Sequence, residues 1–344
     1  MFRSNKRQPH TFFRNTEIIL IDINVKKVQW HMKKPFVTAT ESTTSIEVLL
    51  ITITSNGING KAETLGVDYL GESADTIKRQ IEEHWSEFTR GITRQSLQEL
   101  LPPGGARNGI DCALWDLEAK KQNTRVWEII GLSMKPVETL YTLPCDTSEE
   151  MAKIAQKCRW AKKLKLKLDS NDVAEKLFSV RDARPDADLI IDANTSWSPT
   201  LLDKLADALA SAKIKLLEQP LPTSDDSFLK DLNYPIPICA DESFQSSADL
   251  DRMFDHYDAF NIKLDKCGGL TDALKIVDQC KKNNKKILVG NMLGSSLAMA
   301  PALIIAQQSD WIDLDGPLLQ KEDVSPAIHF EETKMHPPDA ELWG

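Results

Sequence analysis

No apolar run in the chain approaches the roughly 20 residues needed to cross a bilayer, the longest being stretches such as Ile18 to Ile21 and Leu297 to Ala306. A membrane span is therefore excluded from the reading. Glycine and proline are scarce, 32 of 344 residues together, which removes collagen-like and low-complexity classes. Positive charge is in deficit, 42 basic against 51 acidic residues, so a net charge of -9 leaves no basic footprint for nucleic acid. The six cysteines, Cys112, Cys145, Cys158, Cys239, Cys267 and Cys280, show no CxxC or CxH spacing. Buried free thiols in a reducing cytoplasm are expected, and neither a zinc site nor a disulfide framework. A glycine-rich strand-to-helix turn is also missing, which counts against an open dinucleotide-binding sheet.

What is present divides the chain. Residues 1–16 are basic and read as a disordered tail. Residues 17–135 form an α+β unit: IILIDINV, VQWHM and SIEVLLITIT read as antiparallel strands closed by the turn SNGING, and helical periodicity begins at Ser73. From residue 136 short apolar strands ending in a polar residue alternate with amphipathic helices. With Thr142, Lys167, Asp192, Glu218, Asp241, Lys263, Val289 and Asp313 as markers, successive gaps are 25, 25, 26, 23, 22, 26 and 24 residues. Eight even βα units predict a closed parallel barrel over 136–318. Thr147 with Glu150 reads as a capping box, and Ser198 before Pro199 as a helix start.

In such a barrel the carboxyl ends of the strands face the active-site mouth. Asp192, Glu218 and Asp241 end three consecutive strands, and three hard oxygen ligands on a rigid scaffold suit Mg²⁺. Lysines flank them: Lys165 and Lys167 alternate with leucines in LKLKLD, which turns both toward the barrel interior, and Lys263 ends the sixth strand. An ammonium beside a second ammonium and a divalent cation is expected to have a lowered pKa, making a neutral amine available as base.

At these residues the chain resembles the enolase superfamily, in its muconate-lactonising subgroup, and most closely dipeptide epimerases of the L-Ala-D/L-Glu type. KLKLKLD, IDAN, LEQPLP, CADES, NIKLDKCGGLTDA and DLDGP carry the likeness on the barrel, YLGES and ARNGIDCALWDLEAK before it. The resemblance implies an α/β fold: a (β/α)7β modified TIM barrel with an α+β capping domain, which the segment 319–344 completes by packing back on it. It implies Lys167 and Lys263 as acid/bases on opposite faces, with Lys165 as electrostatic neighbour. Asp192, Glu218 and Asp241 become the ligands of one Mg²⁺ per subunit, with Asn194, Glu242 and Asp265 behind them. Asp313 and Asp315 would bind the substrate's free α-ammonium, with Thr142, Asn291 and Met292 also facing substrate. The implied reaction is inversion of the α-carbon of a dipeptide's second residue through an ene-diolate, in peptide metabolism such as cell-wall peptide recycling. The expected partners are a small dipeptide and further copies of the chain, with no nucleic acid and no membrane.

An N-acyl amino acid racemase, or a cycloisomerase or o-succinylbenzoate synthase of the same subgroup, is the nearest alternative; a non-catalytic binding barrel is the alternative of another class. Asp313 and Asp315 speak against the first group, and the complete set of chemical groups against the second. The loops expected to select the second residue are 33–45 and 60–73. Relatives acting on Ala-Glu carry an arginine or other cation there, whereas this chain holds Thr40, Glu41 and Thr43 in one loop and Asp68 and Glu72 in the other. A neutral or cationic second residue is the reading these charges support, unless Lys33, Lys34 or Lys61 reaches the site.

Overall fold

The computed structural model describes residues 21–38, 41–230 and 232–344; the expected tail and Thr40 lie outside the described residues. Strand β1 (Asp22–Val37) pairs antiparallel with β2 (Ser42–Ser55), and β2 with β3 (Ile58–Leu65). The ladder corrects the sequence reading. IILIDINV and VQWHM do not form two strands: Lys26 and Lys27 pair with Leu50 and Leu49, and β1 runs through both segments to His31 before its register shifts. The third strand instead follows the turn, where Asn56 and Gly57 take φ of 51° and 77° and fold β3 back on β2. Its sequence, INGKAETL, hides the strand because it is poor in β-branched residues. Gly60 there lies against Ala113 and Leu117 with no room for a Cβ, so the strand packs flush on the Gly105–Lys121 helix. That helix is buried from Gly105 to Ala119.

After the short strand β4 (Val137–Glu138) come the barrel strands: β5 (Tyr141–Leu143), β6 (Lys163–Lys167), β7 (Asp188–Asp192), β8 (Leu217–Glu218), β9 (Ile238–Ala240), β10 (Ala259–Ile262), β11 (Lys286–Val289) and β12 (Trp311–Ile312). They pair in sequence order, all parallel. The ends of the sheet meet where Leu140 N donates to Ile312 O at 2.7 Å. Alternation along the strands builds the interior in layers. Leu140, Ile190, Leu216, Cys239, Ala259 and Leu288 form an apolar floor, and two residues further on stand Thr142, Asp192, Glu218, Asp241, Asn261 and Gly290. The barrel helices begin largely as read. Ser198 accepts from Leu201 N ahead of Pro199, while Thr147 accepts from Glu150 N without the return bond, since the Glu150 carboxylate lies 3.8 Å from Lys153 Nζ.

The chain then returns to the cap. Strands β13 (Phe330–Glu331) and β14 (Lys334–Met335) join β4 in a small antiparallel sheet. Beyond it Trp343 Nε1 donates to Cys112 O, and Gly344 N to Asp116 Oδ1. Among the described residues no helix is long and apolar enough to cross a membrane.

Buried acids stitch cap to barrel. Asp111 accepts from Thr271 N and Oγ1 at 2.8 and 2.6 Å. Glu63 of β3 accepts from Ser295 N at 2.7 Å, Ser295 Oγ, and Trp30 Nε1 at 3.2 Å. Burial pushes the Glu63 carboxyl up to about 7 despite these bonds. Because the folded state binds this proton more tightly than the unfolded one, stability is gained as pH falls through about 7 and the gain is complete below the ordinary glutamate value near 4.5. Wild type should therefore gain on a Glu63→Gln variant by up to about 3 kcal/mol between pH 8 and pH 5. Urea melts of both proteins across that range measure it, and parallel pH profiles would refute it.

Candidate active site

The carboxyl ends of the barrel strands converge beneath the cap on a cavity of about 350 Å³. Lys165, Lys167, Lys263, Asn194, Asp241, Glu242, Thr142, Asn291, Met292, Asp313 and Asp315 line its barrel side. Phe36, Thr38, Glu41, Thr43, Ser45, Ile46, Glu47, Leu65, Asp68 and Tyr69 line the cap side. The structure thus gathers into one cavity wall most of the residues singled out from sequence, Glu41 and Asp68 included, with Asp192 and Glu218 buried beside Asp241 rather than on the wall.

The alternation in LKLKLD has the predicted result: Leu164 and Leu166 enter the core, while Lys165 and Lys167, only 2% and 6% exposed, point inward. Lys165 Nζ lies 3.0 Å from Asp192, 2.8 Å from Glu218 and 2.8 Å from Asp313. Lys167 Nζ donates to Asp192 Oδ2 at 2.6 Å and to Asn194 Oδ1 at 3.1 Å. Lys263, from the far side of the ring, donates to Asp241 Oδ2 at 2.6 Å. Strands β6 and β10 stand four apart in a ring of eight, so Lys167 and Lys263 face each other. The acidic strand ends β7, β8 and β9 fill the arc between them.

Asp192, Glu218 and Asp241 bring carboxylate oxygens within 4.8 Å of one another, all three buried. Asn261 Nδ2 fixes Glu218 Oε1 at 2.7 Å, and the Asn194 backbone N fixes Asp192 Oδ1 at 3.0 Å. Burial opposes ionisation of Asp192, but Lys165 and Lys167 outweigh it and hold its pKa at about 2. Burial and the neighbouring Asp192 push Glu218 up to about 8. With Glu242, Asp313 and Asp315 the layer holds six carboxyl groups against the ammoniums of Lys165, Lys167, Lys263 and Lys266. An oxygen-only donor set with surplus negative charge fits a hard divalent cation such as Mg²⁺.

One expectation changes. Asp265 does not stand behind the metal ligands: its Oδ1 accepts from Asn108 Nδ2 at 2.7 Å, Leu65 N at 3.0 Å and Thr64 Oγ1 at 3.0 Å, all in the cap. It follows Lys263 by two residues, but lies in the turn Leu264–Cys267, which has left the strand. With no cation beside it, Lys263 is held charged: burial disfavours its charge, yet Asp241 and Glu218 outweigh burial and raise its pKa above the ordinary lysine value. Of the other predicted neighbours, Asn194 donates through Nδ2 to Glu242 Oε1 at 3.1 Å.

Asp313 spends Oδ2 on Lys165 and leaves Oδ1 buried without a hydrogen-bond partner. Asp315 accepts from Thr142 N at 2.8 Å, and burial together with Asp313 pushes it up to about 7. Asn291 Nδ2 donates to Asp313 O at 2.6 Å, holding the last strand end in place. The lysines suggested as cap-side bases do not line the cavity: Lys33 Nζ donates to Leu318 O at 2.9 Å, and neither Lys34 nor Lys61 reaches the wall.

Sequence reasoning missed three residues. Lys266 is fully buried and donates to Asp241 Oδ1 and O at 2.6 Å and to Phe244 O at 2.8 Å. Gln219 Oε1 accepts from Asp241 N at 2.9 Å and Ser243 N at 3.1 Å, fixing the loop that presents Asp241. Tyr69 lines the cavity from the cap. The signal for Lys266 was its spacing of three from Lys263, one helical turn; the other two carry no spacing signal.

An ionic layer at the mouth of a barrel, a three-carboxylate cation site and two opposed lysines define an enzyme that handles a proton beside a carboxylate. Comparison with known proteins agrees. Residues 20–131 match the model described as mandelate racemase / muconate lactonizing enzyme, N-terminal domain, and residues 146–341 the model described as enolase C-terminal domain-like. The chain belongs to this family, within the enolase superfamily. It is 38% identical over 318 residues to the L-Ala-D/L-Glu epimerase of Escherichia coli K12, covering 91% of this chain and 99% of that one. It is 36% identical over 299 residues to an N-acetyl-D-glutamate racemase of Pseudoalteromonas, covering 86% and 95%. Among solved structures, an enolase family member from Agrobacterium tumefaciens with bound sodium and L-Ala-L-Glu superposes with a TM-score of 0.92 at 38% identity, over 94% of this chain and all of that one. A dipeptide epimerase from Methylococcus capsulatus complexed with Mg and L-Arg-D-Lys gives 0.87 at 25% identity, over 94% and 98%.

Lys266 offers a test of the layer independent of turnover. Truncation in Lys266→Ala strips a buried aspartate of a counter-charge, and should cost about 3–5 kcal/mol in chemical denaturation. A loss below about 1 kcal/mol would show that Lys263, already bonded to Asp241 Oδ2, suffices as its counter-charge.

Proposed function

We propose that the protein is a Mg²⁺-dependent dipeptide epimerase that inverts the α-carbon of the second residue. One observation carries the reading: the ring places four kinds of group on four sides of one cavity. Asp241 lines the wall at the end of β9 with Asp192 and Glu218 buried beside it at the ends of β7 and β8, Lys167 and Lys263 stand on the flanks, and Asp313 and Asp315 follow β12, which lies four strands from β8. An α-carbon in the centre turns its carboxylate to the acids and its amide arm toward β12. Its hydrogen then faces one lysine or the other, according to configuration.

Asp192, Glu218 and Asp241 would hold the Mg²⁺, which supplies positive charge opposite the substrate carboxylate when bound. Lys167 removes the proton from one face, and Lys263 returns one to the other. Lys165, bridging Asp192, Glu218 and Asp313, adds a fixed positive charge where negative charge develops. The unpartnered Asp313 Oδ1 and the Asp315 carboxyl receive the free α-ammonium through charge-assisted hydrogen bonds. Asn194 and Glu242 position the layer from behind, with Thr142, Asn291 and Met292 completing the substrate wall. Six free cysteines, five of them buried, suit a reducing cytoplasm, and a homo-oligomeric assembly is part of the same reading.

The Pseudoalteromonas relative favours a second reading, an N-acyl amino acid racemase. Free-amine dipeptides should exchange α-hydrogen for deuterium in D₂O with Mg²⁺, and faster than the corresponding N-acetyl amino acids; the reverse order selects the second reading. Exchange should vanish with EDTA. Lys263→Ala should lose epimerisation by about 10²–10⁴-fold while keeping exchange of the epimer whose hydrogen faces Lys167. Undiminished epimerisation in that variant would overturn the two-lysine assignment.

A further inference from the structure

The identity of the second residue is left open by the family, since its neighbours hold both L-Ala-L-Glu and L-Arg-D-Lys. It has to be read from this chain's own cavity. In the arrangement proposed above, on which this inference rests, carboxylate, amide arm and hydrogen each point to a side of the barrel. The fourth substituent of the α-carbon, the side chain, is left pointing out of the barrel and under the cap.

The cap wall it meets has two kinds of surface. Phe36, Ile46, Leu65 and the ring of Tyr69 are apolar or aromatic, suited to a methylene stem and to the face-on approach of a cation. Among them stand Glu41, Glu47 and Asp68. Glu47 is already matched, by Lys27 at 3.1 Å. Glu41 and Asp68 have no ion-pair partner among the described residues. The bases that line the cavity are Lys165, Lys167 and Lys263, all on the barrel side and all bonded to its acids. Ala39 and Thr40, in the same loop, carry no charge. A glutamate side chain would meet two like charges and no counter-ion, whereas a cation on an apolar stem meets both halves of the wall.

We propose that the second residue is cationic, a lysine or arginine, selected by Glu41 and Asp68 over an aromatic and aliphatic floor. The test compares kcat/KM for L-Ala-L-Lys, L-Ala-L-Arg, L-Ala-L-Leu and L-Ala-L-Glu, with Mg²⁺, by deuterium gain. The cationic dipeptides should lead L-Ala-L-Leu by about tenfold or more, with L-Ala-L-Glu last. The lead should shrink as salt is raised, because the acids are exposed to solvent. In the double variant Glu41→Gln, Asp68→Asn the ratio of lysine to leucine dipeptide should fall about tenfold, chiefly through KM. Fastest exchange of L-Ala-L-Glu or L-Ala-L-Leu, or a ratio the double variant leaves unmoved, overturns the inference while the epimerase reading stands. Absence of exchange from all four dipeptides overturns that reading and this one together.

Discussion

The structure depends on keeping a layer of ionised side chains in register inside a protein interior. Isolated charges there would each cost several kcal/mol, so they persist only as a matched set. The barrel solves this by periodicity. Most strands contribute an apolar residue to the floor and, two positions on, a polar or charged one to the layer above it. The floor excludes water from below and the cap limits it from above, and in that low-dielectric gap the lysine–carboxylate contacts at 2.6–3.0 Å are short and directional. The surplus of carboxyl groups over ammoniums, which together with burial pushes the Glu218 pKa up, is an electrostatic imbalance that suits a divalent cation.

The same economy of charge ties the cap to the chemistry. Between Lys263 and Cys267 the chain makes one turn, and its three charged residues serve three purposes: Lys263 faces the cavity, Asp265 anchors Thr64, Leu65 and Asn108 of the cap, and Lys266 secures Asp241 from behind. A shift of the cap on the barrel would therefore pull on the turn that carries Lys263 and the support of Asp241. Glu63 and Asp111 make comparable bonds at the neighbouring strand ends, so the roof of the cavity is held by buried acids on the barrel rather than by apolar packing alone.

Much of this was legible in the sequence, for a definite reason. A barrel repeats one unit, so eight markers at near-constant spacing expose the topology, and a period of two then assigns inward-facing residues without further information. That is why Lys165, Lys167, Asp192, Glu218, Asp241, Lys263 and Asp313 could be placed from spacing alone. Where the period breaks, the reading fails. Asp265 lies two residues past Lys263, but on a helical turn, so the alternation that located the base mislocated its neighbour. Gln219 acts through a bend in which it takes a φ of 33°, a conformation no periodic pattern encodes. In the cap, β3 escaped because what makes it a strand is its pairing with β2 and the helix packed flush on Gly60, not its own residues.

The two halves of the cavity are under different physical constraints, and this separates reaction from preference. The lysines and the acids Asp192, Glu218, Asp241 and Asp313 are fixed twice, by their places at the strand ends and by ionic bonds to one another, so altering one unbalances several. On the cap side Glu41 and Asp68 lie outside the strands, in segments held by a few backbone bonds such as Thr38 N to Glu41 O and Gly71 N to Asp68 O, and their side chains take no part in the ionic layer. Changing the charge at Glu41 or Asp68 alters the sign of the wall without disturbing a single lysine–carboxylate pair below. The chemistry of a barrel of this kind is accordingly written in its strand ends, where charge balance resists change. The identity of the side chain it accepts is written in the loops above, where only the incoming cation or anion supplies the missing half of the balance.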